Sequence, residues 1–204
     1  MKIRSLAVLP ILALGCLSIA GCDSKAGSAA VVNGSKISES QLVSYISTGA
    51  KPIAASDGSS APARNFVLQF LIRNQLFALL LADAGAPVTD AQLDASRSAA
   101  LGGGSEADLN SQIAAVGLKP KFEAVVLRNR ELLTLVQANK KLSGSEAALT
   151  SAVAKLKDKV SISPRYGSWD PSALAVVDLS KKQLPSMLTL DTTLPGDVKA
   201  PTGQ

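Results

Sequence analysis

Hydrophobic positions along this chain alternate between a period of two and a period near 3.6, and each switch coincides with a turn or capping signal. Ala29-Ala30-Val31-Val32 and Ser35-Lys36-Ile37 flank the dipeptide Asn33-Gly34. Asn-Gly accepts positive φ at both central positions of a tight turn, so this stretch predicts a β-hairpin. Ser38-Glu39-Ser40-Gln41 then has capping-box spacing and predicts a helix with Leu42, Tyr45 and Ile46 on one face. Residues 49–63 are rich in Ala, Ser, Gly and Pro and read as a loop ending in Pro62, a good first-turn residue for the helix that follows.

That helix, over about 63–84, is the most hydrophobic stretch beyond the N-terminal leader. Phe66, Val67, Phe70, Leu71, Phe77, Leu80 and Leu81 share a wide face, leaving a narrow polar stripe of Gln69, Arg73, Asn74 and Gln75. An interrupting cation and an apolar run shorter than the roughly 20 residues of a span argue against a membrane segment. A helix apolar nearly all round is either buried centrally or lines a groove for an apolar partner. Thr89-Asp90-Ala91-Gln92 caps a further helix to about Leu101, Gly102-Gly103-Gly104 is a connector, and Ser105 or Glu106 opens a short helix ending at Gly117. Residues 119–142 predict one long amphipathic helix with Phe122, Val125, Val126, Leu132, Leu133 and Val136 inward. Ser143-Gly144-Ser145-Glu146 opens another to about Asp158, and Val160-Ser161-Ile162-Ser163 alternates as a strand. Its only available partners are the strands near 30–37, so the two ends of the body should meet in a small sheet.

The first 21 residues are of a different kind. Lys2 and Arg4 precede an apolar run from Leu6 to Leu17, and small residues follow, which describes an export signal rather than a spanning helix. The ending Ile19-Ala20-Gly21-Cys22 resembles a bacterial lipobox, whose Cys carries thioether-linked diacylglycerol; the alternative is an ordinary signal peptide with a stray Cys. On the lipobox reading, residues 1–21 are the signal, 22–28 a lipidated tether, 29–177 the domain, and 178–204 a weakly ordered, proline-containing tail. Removing 21 of 204 residues leaves 183, enough for one domain. Losing Lys2 and Arg4 lowers the formal charge from +5 to +3, with no basic block of the kind a nucleic-acid surface needs.

The chain has two cysteines and no histidine. Cys16 leaves with the signal and Cys22 is spent on lipid, so the core must hold without a disulfide. Without histidine there is no Ser-His-Asp or Cys-His constellation, and the commonest transition-metal ligand is missing. No catalytic residue, metal site or cofactor is expected beyond the covalent diacylglycerol and acyl (palmitate-type) lipid on Cys22.

The opening Val31-Val32-Asn33-Gly34-Ser35-Lys36-Ile37-Ser38, and the later Val88-Thr89-Asp90, resemble the N-terminal domain of SurA-type chaperones, shared by PrsA- and PpiD-like foldases. The resemblance spans about residues 29–163 and implies a mainly α, SurA N-terminal-like fold with its small β element. Those relatives carry a parvulin prolyl-isomerase domain at the point where this chain reads Pro164-Arg165-Tyr166-Gly167-Ser168-Trp169-Asp170. The chain is therefore more similar to isomerase-free lipoproteins of actinobacteria that close on such a segment. The resemblance implies a non-catalytic, chaperone-like binder of unfolded or newly exported proteins, lipid-anchored on the extracytoplasmic face of the cell membrane. A scaffold or assembly lipoprotein with one folded envelope partner remains open beside it. Phe66, Phe70 and Phe77 are the candidate client-binding residues of the apolar helix. Arg165, Tyr166 and Trp169 are either a structural clasp beside the sheet or a partner-contact patch, being residue types enriched at binding hot spots.

Overall fold

The computed structural model describes residues 27–54 and 60–177; the leader, Cys22, most of the tether and the tail lie outside the described residues. Strands β1 (Ser28–Val32) and β2 (Ser35–Ser38) form the expected hairpin, with Asn33 and Gly34 at φ 47° and 85°. Ser28, placed in the tether by the sequence, is the buried first residue of β1. Ser38 caps α1 (Glu39–Ser44), its Oγ accepting the Gln41 N–H at 3.0 Å. The helix is shorter than its apolar spacing suggests. Tyr45 and Ile46 leave it because the 117–119 backbone competes for theirs: Lys119 N–H donates to Tyr45 at 2.8 Å, and Ile46 bridges Leu118.

Within the predicted loop lie two short paired strands, β3 (Ile53–Ala54) and β4 (Ser60–Ala61). Helix α2 (Ala63–Asp83) follows, with Pro62 at its N-cap. At 21 residues it is long and apolar enough to cross a membrane, which corrects the expectation that length disqualifies it. Its residues are instead spent on this domain's own core: Val67, Leu68, Phe70, Ile72, Leu76, Phe77, Leu80 and Leu81 are all buried.

Helices α3 (Asp90–Leu101) and α4 (Glu106–Ala115) begin in reciprocal capping boxes, Thr89 with Gln92 and Ser105 with Asp108. Gly102, at φ 60°, ends α3 in the left-handed conformation typical of a glycine stop. The predicted 119–142 helix is three pieces: a 3-10 turn at Pro120–Phe122, α5 (Glu123–Ala138) and α6 (Lys140–Ser143). Asn139 makes the break, its backbone extended and its side chain capping Lys141 N–H at 3.0 Å. All six residues predicted inward on this stretch are buried. Ser145, not Ser143, caps α7 (Glu146–Lys155).

β5 (Val160–Ile162) pairs antiparallel with β1 in the register Ala30↔Ile162, Val31↔Ser161, Val32↔Val160. The sheet order is β2-β1-β5, so the strands near 30–37 and 160–163 meet as expected. A further hairpin, unforeseen from sequence, joins β6 (Ser168–Asp170) to β7 (Ala175–Val177). Asp170 Oδ1 shapes its turn by accepting Ser172 N–H at 2.8 Å and Ser172 Oγ–H at 2.6 Å. The hairpin lies along α2, where Arg73 Nε donates to the Leu174 carbonyl at 2.8 Å. The described residues are mainly α, with three small sheets; α2 and α3 pack on α5, and β1 and β7 lie on α2.

Candidate functional site

The residues predicted to bind a partner fall into two groups. Phe66, Phe70 and Phe77 all lie on α2, but not on an open face. Phe70 and Phe77 are 1% and 0% exposed, and only Phe66 is half-buried. Phe70 meets Phe122 edge-on at 5.7 Å, and Phe122 meets Tyr45 at 5.6 Å, so aromatic rings from the residue just after α1, from α2 and from the 3-10 turn before α5 fill one another's surroundings. Of the two readings of this helix, central burial is the one adopted. The chain's own α5 and strands cover the cradle, and Phe70 and Phe77 are core residues.

Arg165, Tyr166 and Trp169 come together near the sheet, and their partners were invisible in the sequence. Arg165 Nη2 pairs with Glu39 Oε1 at 2.6 Å, while the Tyr166 hydroxyl donates to Glu39 Oε2. The Tyr166 carbonyl accepts Asn65 Nδ2 at 3.1 Å. Burial, reinforced by the neighbouring Glu39 carboxylate, pushes the Tyr166 phenol up to about 12. Trp169 packs half-buried against the core. The segment thus clasps the start of α1 and the first turn of α2. Tyr166 is buried by this, and only the Arg165 side chain, 68% exposed, presents much surface.

The open concave surface lies one helical turn beyond the clasp. Val43 and Ile46, the loop at Ala50 and Pro52, and Pro62 at the head of α2 form an apolar-walled groove of about 500 Å³. Arg64 and Lys119 line it as well. Val43, 44% exposed, is the large hydrophobic residue most open to solvent among those described. Gly117 packs against the Ser47–Ala50 stretch of the lining. Its carbonyl accepts Ser47 N–H at 3.1 Å, and a side chain there would meet Ala50 at 3.3 Å in a backbone already at φ 78°. The groove draws on residues 43–52, 62–64 and 119, far apart in sequence and each unremarkable alone, and no sequence signal singled it out. A smaller cleft of about 390 Å³ runs beside β1 and β5, between Val31 and Pro164.

A charged cluster joins α3, α4 and α5. Arg97 bonds Glu106 at 2.7 Å and reaches Glu131 at 3.5 Å. Burial raises the Glu131 carboxyl above its ordinary range, opposed by Arg97, and raises that of Glu123 in the same way. Among the described residues no group of three or more His, Cys, Asp or Glu is arranged to hold a metal ion. The groove's lining offers apolar walls, the hydroxyls of Ser47 and Thr48, and two cations. No family model, curated protein or solved structure matches this chain.

Proposed function

We propose that this chain is a lipid-anchored, extracytoplasmic, non-catalytic binder of exported polypeptides, acting in the manner of the SurA N-terminal domains that its opening motif resembles. The observation that carries the reading is the groove of about 500 Å³ at Val43, Ile46, Ala50, Pro52 and Pro62. Its place supports an anchored role. The Gly27 carbonyl, where the tether meets the domain, accepts the Glu39 N–H at 3.0 Å, and Val43 stands one turn further along the same helix. A Cys22 anchor would therefore hold the groove close to the membrane, where exported chains emerge.

Size sets the strength of such binding. The groove's volume lies within the range of small ligand sites, about 300–1,000 Å³, with room for only a few side chains. Each buried Leu- or Phe-sized side chain supplies about 1.5–3 kcal/mol before ordering costs. Two such side chains supply at most about 6 kcal/mol, a Kd no tighter than tens of micromolar, suited to brief, exchanging contacts. Confinement to the membrane surface offsets this by raising the local concentration of groove and client.

The test places a photo-crosslinking amino acid at Val43 in cells and, in parallel, measures aggregation of several unfolded exported proteins with the purified lipoprotein. A broad set of adducts and slower aggregation at near-stoichiometric ratio are expected. One dominant adduct would instead favour the scaffold reading. No slowing with any client rejects the chaperone-like role, and measurable prolyl-isomerase turnover rejects the non-catalytic one.

A further inference from the structure

The groove's lining, drawn from residues 43–52, 62–64 and 119, contains Arg64 and Lys119 but no Asp or Glu, and Lys51 and Lys121 are near neighbours of it in sequence. Lys121 is placed over the Tyr45 ring at 5.2 Å. Lys51, Arg64 and Lys119 are exposed, and no ion pair is formed by any of them among the described residues. The carboxylate of α1, Glu39, is already engaged by Arg165 and Tyr166. The lining residues thus include two cations and no carboxylate beside the apolar walls.

We infer that this groove selects extended polypeptide segments in which an apolar side chain is flanked by carboxylates. The inference rests on the polypeptide-binding reading above and names the class of segment. Apolar walls ask for an apolar side chain, and Arg64 and Lys119, both lining the groove, ask for negative charge beside it. An anionic bilayer shares the charge but not the shape. The groove's apolar residues line a concavity, and Val43 alone among the described large hydrophobic residues is prominently exposed, so little apolar surface would enter a membrane. Exposed cations each contribute little to affinity, so the Arg64–Lys119 pair gives selectivity and salt dependence more than strength. Their reach at about 0.1 M salt is about 10 Å, the scale of the groove itself.

The test uses the lipidated full chain in non-ionic detergent and fluorescein-labelled ten-residue peptides of equal Leu content carrying Glu, Gln or Lys at the flanking positions. Fluorescence polarisation should give the Glu peptide about tenfold tighter binding than the Lys peptide at 50 mM salt, an advantage that collapses at 0.5 M. Arg64→Gln and Lys119→Gln should each remove a large part of it, and the double Arg64→Glu/Lys119→Glu variant should reverse it, with unchanged thermal melts certifying the fold. Lys140→Glu, near the other end of α2 and about 30 Å away, should leave it intact. Equal affinities for the three peptides overturn the inference. So does Glu-peptide binding that emerges only when residues 178–204 are deleted, which would place the chain's own tail in the groove. A preference for phosphatidylglycerol vesicles that is lost in the same variants, without peptide selectivity, overturns it too. Slowed aggregation without charge preference removes this inference and leaves polypeptide binding standing; loss of both removes both.

Discussion

Glu39 sits at the first position of α1 and receives two donors from far along the chain, the Arg165 guanidinium at 2.6 Å and the Tyr166 hydroxyl. Hydrogen bonds to a charged acceptor contribute about 1.5–3 kcal/mol when shielded, but the Glu39 side chain is 23% exposed and water can replace a lost donor. Tyr166→Phe keeps the ring packing and removes only the hydroxyl, so it should cost about 1–2 kcal/mol in a urea melt, lowering Tm by about 2–4 °C per kcal/mol. The pH dependence of that gap has a definite sign. Because the folded phenol is raised to about 12, its contribution is complete below the unfolded value near 10 and is lost as pH climbs from 10 towards 12. Wild type and variant should therefore converge in stability across that window. A gap that stays constant to pH 12 would dismiss the Glu39–Tyr166 bond as a source of stability. Arg165 is mostly exposed, so its ion pair adds less than its short distance suggests.

At the scale of elements, the α2–α5 interface contains a polar pair amid apolar packing. Asn74 Nδ2 donates to the Val125 carbonyl at 3.0 Å, and the fully buried Asn129 donates from Nδ2 to Asn74 Oδ1 at 2.8 Å. Asn129 Oδ1 has no donor, so the pair is only partly satisfied, a condition that costs about 1–3 kcal/mol for each stranded buried group. Asn129→Leu alone strands Asn74 and should destabilise by about 1–2 kcal/mol. The double change Asn74→Leu/Asn129→Leu should recover that loss or exceed wild type. A double-mutant cycle reads the coupling, and simple additivity would refute the paired arrangement. Element starts were readable in the sequence where a side chain caps its own helix, at Ser38, Thr89 and Ser105. Ends were less so. The break at Asn139 and the departure of Tyr45 from α1 depend on an extended backbone and on a bond to Lys119, neither written in local periodicity. The β6–β7 hairpin was missed because its strands are three residues each and are held by Gln69 and Arg73 of α2.

At the scale of the molecule, β5 closes on β1 and brings residues about 130 apart in sequence into one sheet, so the tether and the closing segment leave the body near one another. The five steps from Cys22 to Gly27 span at most about 18 Å, which is the slack a lipidated Cys22 would allow. Two or three acyl chains at about 0.8 kcal/mol per buried CH₂ make a stable anchor, where one is marginal. Cys22→Ala should accordingly release the protein from membranes or leave the precursor uncleaved, measured by fractionation and mass of the N-terminal peptide. Normal processing with full membrane retention would refute the lipobox assignment. Such release should also weaken crosslinking at Val43, since the groove would lose its enforced nearness to emerging chains.

What this sequence determined alone are features whose causes lie within a few residues. Asn33-Gly34 turns a hairpin because those two residues tolerate positive φ, and side chains three residues before an amide cap helices. The pairing of the domain's ends was also legible, because three short strand candidates had only each other to bond. Tertiary structure decided the rest. A helix as apolar all round as α2 carries no record of which neighbours cover it, so only packing against α5, β1 and β7 showed that Phe70 and Phe77 are core. The same holds for the groove, where Val43, Arg64 and Lys119 become neighbours only because Lys119 N–H bonds to Tyr45 and Ser47 N–H to Gly117. Those contacts join residues some 70 positions apart, and no local pattern encodes them.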